Sequence, residues 1–195
     1  MGRNDYGQLG TGDNAQKTSP TQILPSGVAS ITAGTYHSLL IKLDGSLWGT
    51  GRNDYGQLGN GFTANLASPQ QILFSGVMAA AAGDGHSLFL KKDGSLWAAG
   101  LNLDGQLGLG DDANRSIPVV VVDANVTAVA AGARHSLFLD ANGSLWAMGD
   151  NLFGQLGDGT FEDRHSPVQI VASGVAKASA GNDHFVFIKT DGSVW

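Results

Sequence analysis

GRNDYGQLG occupies residues 2–10 and returns unchanged at residues 51–59. Two looser copies follow, GLNLDGQLG at 100–108 and GDNLFGQLG at 149–157, so each copy begins 49 residues after the last. The same step separates Trp48, Trp97, Trp146 and Trp195, and also His37, His86, His135 and His184. Pro20, Pro69, Pro118 and Pro167 keep it too. A period of this length marks an array or ring whose single unit cannot bury its own apolar face, so neighbours must stack on it. Residues common to all copies therefore read first as scaffold, and function is sought where the copies differ.

Within one repeat the signals are those of strands. Pro20 precedes a short strand at Thr21–Leu24, a place where no ladder donor is needed. Pro25, Ser26 and Gly27 form a turn signal, and Val28–Ala33 is a strand of small and β-branched residues. After Gly34, His37–Lys42 is a third strand. Asp44 and Gly45 then give a tight hairpin signal, with positive φ expected at both residues, before Ser46–Trp48. The hairpin pair recurs as Asp93-Gly94, Asn142-Gly143 and Asp191-Gly192, and no window keeps a helical period. The expected fold is all-β: a β-propeller of four-stranded antiparallel blades, four 49-residue repeats in one domain spanning residues 1–195. That domain is a whole propeller or half of one, with Thr21–Leu24 supplying the outer strand of the blade formed by Val175–Trp195. The crowded inner strand falls to Val28–Ala33 and its equivalents, and the tryptophans to the space between sheets.

The string AG-x-x-HSL, then DGSLW, then G-x-N-x-x-GQLG and SP-x-x-I, runs through the whole chain. It resembles the regulator of chromosome condensation repeat family. The resemblance implies a propeller, usually of about seven blades. Known members include a nucleotide exchange factor for a small GTPase, a plant UV-B photoreceptor and a bacterial inhibitor of β-lactamases, so the family alone does not choose a function.

Composition narrows the field. The 195 residues are 42% hydrophobic, carry a formal net charge of −6 and include no cysteine. No run of Lys or Arg offers a surface for phosphates, which argues against nucleic acid and anionic membranes as partners. The absence of cysteine, of a long apolar run and of a secretory leader pattern gives a cytoplasmic expectation.

The repeated polar motifs read as scaffold. A ring of His37, His86, His135 and His184 suggests a metal, but no cysteine or acidic partner repeats beside them, and each is expected to bond backbone within its own blade. His165 stands outside the series, in a loop. The GQLG-x-G loops resemble phosphate cradles, yet occur four times and precede no helix. Asp111, Asp112 and Asp158 lack the alternating ligands of a calcium loop. Adjacent pairs such as His37 and Ser38 point to opposite faces of a strand and cannot act as base and nucleophile. No catalytic residue, metal or cofactor is expected.

The copies diverge at two places that the strand order brings to one end: the pair before each histidine and the segment after each GQLG. Tyr36, Asp84, Arg134 and Asp183 come from the first, and Phe62, Phe161 and Arg164 from the second. Variable loops on a rigid scaffold are the usual form of a binding face, and aromatic and Arg side chains its usual anchors. The expected function is a protein-protein interaction scaffold without chemistry of its own. A guanine nucleotide exchange factor-like regulator of a small GTPase is the alternative by resemblance. An engineered or truncated repeat array with a purely structural role is another. The partner is expected to be a protein, and a homodimer closing an eight-bladed ring is expected from the match between the two ends of the chain.

Overall fold

The computed structural model describes residues 1–73 and 75–195 and contains fourteen strands and no helix among them. The first blade is β1 (Val28–Ala33), β2 (His37–Lys42), β3 (Leu47–Gly51) and β4 (Leu66–Leu73). The second is β5 (Val77–Ala82), β6 (His86–Lys91), β7 (Leu96–Gly100) and β8 (Arg115–Val122). The third is β9 (Val126–Ala131), β10 (His135–Asp140), β11 (Leu145–Gly149) and β12 (Arg164–Val171). Each is an antiparallel meander in chain order. The fourth sheet holds only β13 (Val175–Ala180) and β14 (Phe185–Lys189), with Val194 bridging to Ile188.

Inner strands lie next to one another: β1 packs on β5, β5 on β9 and β9 on β13, while no comparable packing joins β13 to β1. Their small residues permit this approach. A Cβ on Gly83 would fall 2.6 Å from the Gly132 carbonyl oxygen of the next blade and 2.4 Å from Cε1 of His86. This glycine is required by space, because its φ is not positive.

Apolar cores fill the wedges between blades. Leu39, Ile41 and Leu47 of the first blade meet Val77, Ala82 and Phe89 of the second. Leu88, Leu90 and Leu96 meet Val126 and Phe138, and Leu137, Leu139 and Leu145 meet Val175. Trp97 and Trp146 pack against the first two cores, as expected.

Four expectations are corrected. Thr21–Leu24 is not a strand in the chain, since nothing in the same chain pairs with it. The outer strands are eight residues long and carry Pro69, Pro118 and Pro167 inside them, at the point where pairing with the third strand changes register. An unpaired outer edge and a register jump are both tolerant of a missing N–H. The hairpins do not place both central residues at positive φ. Gly45 has φ +79° but Asp44 does not. Asp44 instead accepts the Ser46 amide at 2.8 Å and the Ser46 hydroxyl at 2.6 Å, and Ser46 accepts the Trp48 indole N–H at 2.9 Å. Finally, His165 lies in β12 rather than in a loop.

The histidines are corrected in a more consequential way. They bond across blades, not within them. His37 Nε2 lies 2.8 Å from Ser87 Oγ, and His86 Nε2 lies 2.9 Å from Ser136 Oγ. Each serine hydroxyl donates to a GQLG-loop carbonyl, Gln57 O or Gln106 O, at 2.7 Å. The serine oxygen must therefore accept, which puts the imidazole proton on Nε2. At the third junction Phe185 replaces the serine, and His135 Nε2 has no hydrogen-bond partner among the described residues. Removing the hydroxyl in Ser136→Ala leaves the His86 N–H buried and unpaired, and chemical denaturation should show a loss of about 1–3 kcal/mol.

Candidate interaction face

The loops before each histidine and the GQLG loops do share one end of the blades. Backbone bonds tie them: Arg52 N to Tyr36 O at 2.8 Å, Leu101 N to Gly85 O at 2.8 Å and Asp150 N to Arg134 O at 3.0 Å. The hairpins tie to one another at the opposite end, as in Val77 N to Gly45 O at 3.1 Å.

A buried asparagine builds each GQLG loop. Asn53 Oδ1 accepts the Leu58 amide at 2.9 Å, and its Nδ2 donates to Asn60, Phe62 O and Ala64 O. The Gly56 and Gly59 amides bond back to Asn53 O and Gly56 O. These loops thus spend their own amides internally. Asp111 and Asp158 act similarly as loop clamps. Burial works against the charge of Asp158, but hydrogen bonds from Thr160, Arg164 and Asn151 together hold its pKa down at about 2.

The face divides into two halves. In the first, Arg52 sits among three tyrosines, its guanidinium carbon 5.4 Å from the Tyr6 ring centre, 5.6 Å from Tyr36 and 5.0 Å from Tyr55. Arg3 lies 5.3 Å over Tyr36, and Tyr6 meets Tyr36 edge-on at 5.3 Å. All three rings are half-buried, so each keeps an accessible edge. In the second half, Arg134 reaches Asp104 Oδ2 at 3.5 Å. Burial raises the pKa of Asp104, Arg134 opposes this, and Asp150 and Asp163 reinforce it. Burial likewise pushes His135 down to about 4, against the pull of Asp150 and Asp183. Between the halves, Ala33, Gly34, Gly83, Gly132 and Gly181 line the mouth of the axial space, a cavity of about 250 Å³.

The expected anchors fare unequally. Tyr36 belongs to the Arg-Tyr cluster, and Arg134 and Asp183 are exposed on the acidic half. Asp84 is half-buried, with its amide on Ala133 O. Phe62 and Phe161 are exposed singly and join neither group. Arg164 holds its Nε 2.6 Å from Asp158 Oδ2, as Arg52 holds its Nε 2.8 Å from Asp54 Oδ2, so both guanidiniums are paired with a carboxylate of their own loop. Arg3, Tyr6, Arg52, Tyr55 and Asp104 were missed because they sit inside the repeated motif. The available signal was the change within that motif, from Arg-Asn-Asp-Tyr in two copies to Leu-Asn-Leu-Asp and Asp-Asn-Leu-Phe in the others.

The regulator of chromosome condensation (RCC1) repeat pattern matches residues 1–41, 44–90, 93–139 and 142–188. The chain belongs to the RCC1 repeat family. A second RCC1 repeat pattern matches 28–57, 79–106 and 126–155. No curated protein matches the sequence. Among solved structures, Prp20p from Saccharomyces cerevisiae, described with its binding properties to Gsp1p and histones, aligns at TM-score 0.74 and 24% identity. That alignment covers 83% of this chain and 43% of Prp20p. Yeast RCC1 (Prp20) bound to Kap60 aligns at TM-score 0.77 and 25% identity, covering 93% of this chain and 46% of the other. Human WBSCR16 aligns at TM-score 0.59 and 20% identity, covering 97% and 66%. The chain spans under half the length of the two yeast RCC1 structures it matches. RCC1 repeats thus supply an all-β propeller architecture here, with four repeats in the chain.

Proposed function

We propose that this chain is a protein-interaction scaffold that binds through the loop face carrying Tyr36, Arg52, Arg134 and Asp183. The observation that carries this is the Arg52 cluster, where one guanidinium and three tyrosine rings are held together at the face without being sealed from solvent. Tyr and Arg are the side chains most enriched where binding energy concentrates. The acidic half around Asp104, Asp150 and Asp183 supplies opposite charge beside it, which favours a partner with both a basic and an acidic or aromatic segment. Asp84 lies beside Gly83 near the axial mouth of the same face, and Phe62 and Phe161 are exposed in the loops after GQLG.

The test is a pull-down with the whole chain against Tyr36→Ala/Arg52→Ala and Arg134→Glu/Asp183→Lys variants. Partners held by wild type should weaken by at least about tenfold in the variants, the scale of losing a single anchor. Every partner surviving both double variants would remove the face from the account. The RCC1 repeats, whose known members include a nucleotide exchange factor for a small GTPase, support exchange as a second reading. Fluorescent-nucleotide release from a Gsp1-type GTPase separates the two: a scaffold leaves the release rate unchanged, and an exchange factor accelerates it.

A further inference from the structure

The third repeat departs from the other three at three positions, and all three departures line one cavity. At residues 42, 91 and 189 the repeat carries lysine, and each ammonium lies over the tryptophan of its own repeat. Lys42 Nζ is 3.5 Å from the Trp48 ring centre, Lys91 Nζ is 3.8 Å from that of Trp97, and Lys189 Nζ is 4.4 Å from that of Trp195. The equivalent residue of the third repeat is Asp140. No Lys or Arg among the described residues lies over Trp146 or pairs with Asp140. A cavity of about 290 Å³ opens there, bounded by Val122, Asn125, Phe138, Asp140, Trp146 and Pro167.

The second departure is Asn142, where the other hairpins have Asp44, Asp93 and Asp191. In those hairpins the aspartate holds a serine that accepts the indole N–H, as Asp93 holds Ser95 for Trp97. In the third, Asp140 Oδ2 accepts the Trp146 indole N–H directly at 3.1 Å, and Oδ1 accepts the Asn142 and Ser144 amides at 2.9 and 3.0 Å. Burial works against the charge of Asp140, but hydrogen bonds from Ser144 and Trp146 hold its pKa below the usual carboxylate value. The exchange of roles explains an acceptor at residue 140, but it leaves unfilled the space that a lysine stem takes in the other repeats. Trp146 lies parallel to Phe138, with ring centres 5.9 Å apart. Trp195 and Phe187 are stacked in the same way at 6.3 Å, and there the lysine is present as well.

The third departure is Asn125, in the place of Gly27, Gly76 and Gly174. Those glycines have φ of +85°, +82° and +81°, and Asn125 keeps the same backbone at +71°, the only non-glycine residue at positive φ among the described residues. Asparagine enters this region more readily than most residues. What it adds is an exposed amide at the rim of the cavity.

We propose that this cavity binds a lysine side chain of a partner protein, with its ammonium over Trp146 and beside Asp140 and its peptide group next to Asn125. The chain supplies the template, since a lysine ammonium occupies the equivalent place in three repeats. Exchanging that lysine for a carboxylate reverses the charge and selects a cation from outside. An indole face adds to the attraction where the cation is partly desolvated. The cavity lies at the hairpin end, opposite the loop face, so its occupant makes a separate contact and its test needs no partner of that face.

Titration of the isotope-labelled chain with Nα-acetyl-lysine amide tests this, read at the indole N–H signals of the four tryptophans, with Trp146→Phe to assign the third. A saturable shift confined to Trp146 is expected, with a dissociation constant of about 1–10 mM. No shift, or an equal shift from Nα-acetyl-norleucine amide, which lacks the ammonium, overturns the proposal. Asp140→Lys/Asn142→Asp restores the residues of the other three repeats, so its own lysine should fill the cavity and weaken binding about tenfold or more. Asp140→Asn keeps an oxygen for the two amides and removes the charge, and it too should weaken binding about tenfold. Undiminished binding in either folded variant contradicts the site. Butylammonium should bind at least about threefold more weakly than the lysine amide, and Asn125→Gly should erase that difference. Equal binding of butylammonium by the wild type would assign the cavity to a free amine and overturn the protein lysine.

Discussion

Gly83→Val should be severely damaging, with a loss of about 3 kcal/mol or more in chemical denaturation. Even the first added carbon would sit 2.4 Å from His86 Cε1 and 2.6 Å from the Gly132 carbonyl oxygen, and one of these is backbone of the neighbouring blade. Relief requires either parting the inner strands or displacing the imidazole from its 2.9 Å contact with Ser136. Two controls separate this clash from other glycine effects. Gly76→Ala has open space but a φ of +82°, so its cost is the backbone penalty alone, about 1–2 kcal/mol. At Gly181 the three atoms nearest the added carbon all belong to the His184 ring, the first at 2.3 Å, and that ring is exposed. Gly181→Ala should therefore be nearly neutral in the isolated chain, although it occupies the same place in its repeat. Equal losses at Gly83 and Gly181 would show that the junction between inner strands is not what demands the glycine.

Acid should destabilise the protein well above the carboxylate range. Burial holds His37 at about 4, His86 at about 3 and His135 at about 4, against an ordinary value of 6.5. The neighbouring histidines His37 and His135 lower His86 further. All three imidazoles are neutral when folded, and the unfolded chain takes up a proton at each below 6.5. Between 6.5 and the folded values the unfolded state binds more protons, so the stability is complete above that window and drains as the pH falls through it. From pH 7 to 5.5 the loss is about 1 kcal/mol per histidine and about 3 kcal/mol for the set, or a fall in Tm of about 6–12 °C for a chain of this size. Differential scanning calorimetry across that range checks it. Replacing His86 by glutamine should flatten the slope by about a third, and a melting temperature independent of pH would contradict neutral, interface-bound imidazoles.

The repeat period, the inner strands and the position of each hairpin were legible in the sequence because glycine and apolar patterning are local. Val28–Ala33 and His37–Lys42 were read to their observed bounds. The cross-blade contact was not legible. His37 and Ser87 lie 50 residues apart, and a reading confined to one repeat leaves His37 to bond backbone within its own blade. Turn chemistry misled at Asp44, whose carboxylate satisfies Ser46 instead of lending the residue a positive φ. Thr21–Leu24 carries a strand signal, but a strand needs a neighbour, and the chain itself does not supply one. At the candidate face, variability between copies located Tyr36 and Arg134. It passed over Arg52, whose cluster depends on Tyr6 from one repeat copy and Tyr55 from the next.

Hydrogen-deuterium exchange of the whole chain, with and without a captured protein partner, tests the central claim most directly. Binding through the proposed face predicts added protection in residues 34–36, 52–56, 101–105 and 132–134, and unchanged exchange in the opposite-end hairpins at 43–46, 92–95 and 141–144. Protection centred on those hairpins, with the Arg52 and Arg134 loops unaffected, would contradict it.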